Sequence, residues 1–162
     1  TASSTRCFAV HSRTEASLSA HPLFLPWRRY SPKLSAMPTA DFDSAFVALK
    51  SVFAPSLKHL QPTADTATEY TLSTRVPSPM PQHKGAPMFF SSVRLGKAYV
   101  SVHLFPLYMN TELTASIAPE LKKRMQGKTC FNFKSSPDAA QLKELQRLTR
   151  EGLKDFQQSG WA

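Results

Sequence analysis

Met88-Phe89-Phe90-Ser91-Ser92-Val93-Arg94-Leu95-Gly96-Lys97-Ala98-Tyr99-Val100-Ser101-Val102-His103-Leu104-Phe105 is the stretch that decides the fold. Aromatic and β-branched residues alternate with polar ones on either side of a glycine. That pattern predicts two strands, Met88 to Leu95 and Ala98 to Phe105. Gly96-Lys97 joins them as a two-residue hairpin turn with glycine first. The register that follows sets Leu95 against Ala98, Arg94 against Tyr99, Val93 against Val100, Ser92 against Ser101, and Phe90 against His103. Successive side chains point to opposite faces, so two faces separate. One carries Phe89, Val93, Leu95, Val100, Val102 and Leu104 and reads as core. The other carries Phe90, Ser92, Arg94, Tyr99, Ser101, His103 and Phe105. It is half aromatic and half polar, and its aromatic rings would be costly to leave bare.

Upstream, Val76 to Pro87 holds four prolines and one glycine and reads as a long surface loop. Before it, Glu69 to Ser73 alternates, with Tyr70 and Leu72 on one side: another strand. Phe42, Phe46, Leu49 and Phe53 recur at helical spacing. Thr39 is placed to cap that helix, Asp41 and Asp43 complement its positive end, and Pro55 ends it. Leu57 and Leu60 read as a further turn.

Downstream, Asn110 or Thr111 starts a short helical turn through Ile117. Pro119 suits the first position of a helix from Glu120 to Gln126, and Gly127 closes it. Lys128 to Lys134 alternates as a strand. Ser136 reads as the cap of the last helix, whose apolar stripe is Leu142, Leu145, Leu148, Leu153 and Phe156. The order α-β-β-β-α-β-α predicts an α+β two-layer sandwich. Its sheet is mainly antiparallel, of four or five strands, with the helices on one face and a fifth strand near the Pro-rich loop.

The 162 residues carry a net charge of +9, with 13 prolines and 2 cysteines. No apolar run approaches the ~20 residues of a membrane span. Coiled coil, collagen and disulfide mini-protein are excluded by composition. Residues 1–36 hold five basic residues and one acidic residue among seven serines. They read either as a transit-like leader or as a lead-in that is not native, with Met37 as the start of the domain at 37–162. A start at Met37 implies the cytoplasm; a transit segment implies a mitochondrion or plastid. The 15 basic and 10 acidic side chains of residues 37–162 leave that domain at +5. Such a charge permits anionic partners without demanding them.

Few motifs carry chemistry. Gly127-Lys128-Thr129 imitates the end of a phosphate-binding loop, but Lys122 stands where that loop needs its first glycine, and the helix precedes rather than follows. Cys7 and Cys130 form no metal-binding pair, and the five histidines show no helical pairing with one another or with glutamate. No site for a catalytic nucleophile or a metal is expected, although His59, Glu69 and His103 lie on elements that a fold can bring together. Lys122, Lys123, Arg124, Lys128 and Lys134 form the densest basic cluster, interleaved with Phe131 and Phe133. Two readings stand: solvated lysines around core phenylalanines, or a strand that binds single-stranded nucleic acid.

Three further stretches belong together. They are Phe42 through Leu49, Asp65-Thr66 leading to Glu69-Tyr70-Thr71-Leu72, and Ile117-Ala118-Pro119-Glu120-Leu121-Lys122-Lys123-Arg124-Met125-Gln126-Gly127-Lys128-Thr129-Cys130-Phe131-Asn132-Phe133. With Tyr99 to Leu104, they resemble the YdhG-like family, a large and mainly bacterial group catalogued as a domain of unknown function. The resemblance spans residues 40–158 and implies a small α+β fold. Some relatives are labelled frataxin-like iron chaperones for iron–sulfur and haem assembly, which implies weak iron binding by exposed carboxylates. Here the domain is basic, neither end helix carries an acidic ridge, and no iron-ligand motif transfers. Glu151 and Asp155 are the nearest acidic pair on the last helix.

These readings converge on a non-enzymatic binding or chaperone-like domain. Its surface is the hairpin face of Phe90, Arg94, Tyr99, His103 and Phe105, and its partner is another protein or a second copy of the chain. An iron chaperone and a single-stranded RNA module, working through the basic cluster, are the alternatives. Nothing in the residues requires an enzyme.

Overall fold

A computed structural model describes residues 39–162. The expectations for residues 1–36, for Cys7 and for a start at Met37 lie outside them. The chain folds as an α+β sandwich around a six-stranded antiparallel sheet of order β1-β2-β3-β4-β6-β5. Helix α1 (Thr39–Ser51) is followed by a 3-10 turn (Ala54–Lys58), then β1 (Leu60–Asp65), β2 (Glu69–Pro77), β3 (Pro87–Leu95) and β4 (Val100–Leu104). Three short helices, α2 (Pro106–Met109), α3 (Thr111–Ala115) and α4 (Pro119–Lys122), lead to β5 (Met125–Gln126) and β6 (Cys130–Phe133). Helix α5 (Ala139–Gln158) closes the fold. Among the described residues no helix is long and apolar enough to cross a membrane.

One face of the sheet supplies Leu72, Phe90, Val93, Val102, Leu104, Phe131 and Phe133 to the core, all fully buried. Phe42, Phe46 and Leu49 of α1 and Leu145, Leu148 and Phe156 of α5 pack into the same core. The helical spacing of these residues is the reason both helices form where they do. Phe131 and Phe133 are therefore core residues, as one of the two readings of the basic cluster had it.

Several details depart from the sequence reading, each for a local reason. Thr39 is the first residue of α1 rather than its cap. Leu60 opens β1 instead of extending a helix; it is fully buried and pairs with Thr74. This strand adjoins the Glu69 strand rather than the Pro-rich loop. Residues 76–77 belong to β2, and a 3-10 turn, Pro81–His83, interrupts the loop. The helix predicted from Glu120 to Gln126 stops at Lys122, because Met125 and Gln126 pair with Phe131 and Cys130 as β5. Gly127, at φ 76°, serves the turn of that hairpin rather than a helix end. Asp138, not Ser136, caps α5: its carboxylate accepts from the Gln141 backbone while the Gln141 side chain accepts from the Asp138 backbone. The Ser136 hydroxyl instead donates to the Asp41 carboxylate at 3.0 Å.

The β3–β4 hairpin turns one residue later than predicted. Gly96 N–H donates to the Tyr99 carbonyl at 2.9 Å, so Lys97 and Ala98 form the turn. A Cβ on Gly96 would lie 2.9 Å from that carbonyl oxygen, which is why glycine sits in the pair and not in the loop. Arg94 consequently faces Ser101 and Ser92 faces His103.

A second irregularity matters more. Leu72 pairs with Ser91 and Ser73 with Phe89, leaving Phe90 as the extra residue of a β-bulge. Alternation breaks there, and Met88, Phe90 and Val93 all reach the core. Phe90, expected on the open face, is fully buried against Phe156, ring centroids 5.1 Å apart. Phe89, expected in the core, takes its place outside.

Candidate functional site on the open sheet face

The face of the sheet away from the core is built from two cross-strand rungs. One runs Thr71, Ser92, His103, Cys130 and Gln126; the next runs Glu69, Arg94, Ser101 and Asn132. Each rung joins the β3–β4 hairpin to β2 and to β6, segments elsewhere along the chain, and the antiparallel register aligns them.

These rungs line three adjoining depressions. The first, about 430 Å³, is walled by Glu69, Phe89, Arg94, His103 and Cys130. The second, about 290 Å³, shares Ser101 and Cys130 with it and adds Tyr99. The third, about 380 Å³, shares Gln126 and Asn132 with the second and is bounded by Lys123, Arg124 and Lys134. Through these shared residues the three depressions follow one another across β2, β3, β4, β6 and β5 in one line, the trough. Four inter-strand steps of about 4.8 Å make it about 19 Å long.

The trough is polar on its floor and aromatic at its first end. The Phe89 ring lies 5.1 Å from His103 and 6.2 Å from Phe105. Phe105 in turn stacks on Tyr108 at 6.1 Å, with the Lys128 ammonium 5.8 Å over the Tyr108 ring. Arg94 donates to the Glu69 carboxylate at 2.8 Å, and the Thr71 hydroxyl donates to it at 3.0 Å. These two hydrogen bonds, Arg94 first, hold the Glu69 carboxyl below its usual range. Burial, reinforced by the Arg94 charge, pushes the His103 imidazole below its usual value, so it is neutral at neutral pH. The Asn132 amide donates to the Gln126 amide oxygen, fixing both side chains on the floor.

Of the residues read from sequence as the hairpin-face site, Arg94, Tyr99 and His103 line this trough. Phe105 sits at the end of the sheet, bridging Phe89 and Phe156. Phe90 is not part of it. The predicted basic cluster divides: Lys123, Arg124 and Lys134 bound the third depression, Lys128 covers Tyr108, and Lys122 stands exposed on α4. The residues that sequence reasoning missed are Phe89, which the bulge turns outward, and Cys130, which reads from sequence only as a packed strand residue.

His103 and Glu69 do meet in one depression, whereas His59 lies elsewhere, 3.1 Å from Gln157 of α5. Among the described residues no three His, Cys, Asp or Glu side chains gather as a metal would need. Glu151 is engaged by Arg150 and Lys154, and Asp155 accepts from the Asn110 amide at 2.8 Å. The pair is thus part of the surface ionic and capping network.

Another cavity, about 460 Å³, lies between α2 and the end of α5, beside Phe156 and Trp161. Two of its polar groups already serve the fold: Asn110 holds Asp155 and caps α3 through Leu113 N–H. The open face is where polar, aromatic and cationic groups converge instead. No family model, curated protein or solved structure matches the chain.

Proposed function

We propose that this chain is a non-enzymatic binding domain and that the open sheet face is its binding surface. The observation that carries the reading is the trough itself: three adjoining depressions that share their walls, with aromatic rings, polar side chains and cations along one line. Among the described residues, helices cover one face of the sheet and leave the other to receive a ligand. The rungs rest on a packed core, so the surface is pre-formed and little ordering entropy is lost on binding. Membership of the YdhG-like family belongs to the same proposal, supported by the α+β fold that the resemblance implies.

Cys130 offers a direct test, because it lies on the floor where the first two depressions meet. In the full chain with Cys7→Ser, Cys130 is capped with a bulky maleimide and its fold checked by circular dichroism. Binding of a fluorescent 12-nucleotide RNA and of fluorescent polyglutamate is then compared with the uncapped protein. Loss of a binding event on capping supports the reading. Binding that survives capping unchanged contradicts it.

A further inference from the structure

We infer that the open face binds single-stranded RNA, laid across the strands along the trough. The inference rests on the binding-surface reading above and names its ligand. Four cations, Arg94, Lys123, Arg124 and Lys134, line the trough against one carboxylate, Glu69. That carboxylate is already held by Arg94. Lys123 has an ion pair with Glu120, but both side chains are about two-thirds exposed, so solvent screens the pair and the ammonium can exchange to a phosphate. The ligand is therefore anionic, and its charge is met at the end of Lys123, Arg124 and Lys134, because Arg94 at the other end is already paired with Glu69.

Rings select among polyanions. Phe89 and His103 at one end and Tyr99 beside the middle expose aromatic edges and faces to the trough. An acidic peptide brings nothing flat to stack on them, whereas every nucleobase does. Along the floor, Ser101 adds a hydroxyl, and the Asn132 and Gln126 amides, paired with each other, keep further donors and acceptors suited to base edges and ribose hydroxyls. A sheet open on one face and backed by helices on the other is an established way to splay and stack unpaired bases. A duplex suits these rings less well, because its bases are stacked on one another and are not free to stack on side chains. The phenylalanines first associated with the basic cluster, Phe131 and Phe133, take no part, because they face the core.

The test is fluorescence anisotropy of a labelled 12-nucleotide single-stranded RNA with the full chain, over a range of salt concentrations. Three phosphate contacts, at Lys123, Arg124 and Lys134, predict a slope of log affinity on log salt of about −2. Arg124→Glu with Lys134→Glu should weaken binding at least about tenfold and flatten that slope. Tyr99→Ala, at the exposed hairpin tip, should weaken binding about tenfold with the slope unchanged, since stacking is lost and no charge is. The same RNA annealed to its complement should bind more weakly.

RNA binding that ignores all three substitutions would place it off the trough and overturn the inference. Absence of RNA binding, with polyglutamate bound and released by capping Cys130, would overturn the RNA assignment and leave the binding surface standing. If the trough variants and the capped protein bind both probes as the unmodified chain does, both claims fall.

Discussion

The ring of Phe89 stands 5.1 Å from that of His103 on the open face, while its neighbour Phe90 packs 5.1 Å from Phe156 in the core. The bulge at Phe90 sets this division, and substitutions on either side of it should behave differently. Phe90→Ala removes a fully buried ring and should cost about 3–5 kcal/mol. Phe89→Leu should leave the unfolding free energy within about 1 kcal/mol of the parent. Urea unfolding of both variants checks the contrast. Equal losses would mean that the two rings share one environment.

The same bulge turns Ser91 inward. Among the described residues its hydroxyl is buried without a hydrogen-bond partner. A buried, unsatisfied hydroxyl opposes folding, so Ser91→Ala should raise stability by about 1 kcal/mol. A destabilised Ser91→Ala variant would show that the hydroxyl has a partner.

Gly152 of α5 presses on Pro106, at the start of α2. A Cβ at position 152 would lie 2.4 Å from the proline Cβ and 2.8 Å from its Cγ. The proline ring cannot swing away as a flexible side chain would. Although alanine is the better helix former, Gly152→Ala should therefore lower stability by about 1–3 kcal/mol. A thermal melt showing a gain would mean that the two helices can separate freely.

His103 should leave a signature in the pH dependence of stability. Its folded value lies below the ordinary 6.5, from burial and then from the Arg94 charge. The groups facing it on the sheet are Arg94, Glu69 and Cys130. The unfolded chain then binds more protons than the folded one as pH falls from 6.5 towards the lowered folded value. Stability should fall with pH across that window and should not fall further on this account below it. His103→Gln should flatten that segment of the profile and leave the rest unchanged. An unaltered profile would mean that His103 titrates alike in both states.

How much of this was legible in the sequence depends on the range of the signal. Helical periodicity over about three turns or more placed α1 and α5, and the alternation of Val100 to Leu104 placed β4 with its faces in order. The bulge was not legible, because one extra residue breaks a period of two within a six-residue run that was apolar or small throughout. Strand β1 begins Leu60-Gln61-Pro62-Thr63 and owes its place to pairing with β2, not to any apolar alternation of its own. Strand β5 is two residues long and exists only through its partner β6. Arg94, Tyr99 and His103 were read as surface residues because they share one hairpin. The trough they help to line was hidden because Glu69, Cys130, Asn132 and Arg124 join it only through strand order.

The central claim is that the open face, and not the helix-covered side, receives the ligand. The most direct test is an amide chemical-shift map of the ¹⁵N-labelled full chain titrated with the 12-nucleotide RNA. The account predicts that Thr71, Ser92, Ser101, His103, Cys130 and Asn132 move together with one affinity. Shifts confined to the groove of Val52, Thr149, Leu153 and Gln157, where α5 meets the end of α1, would contradict it.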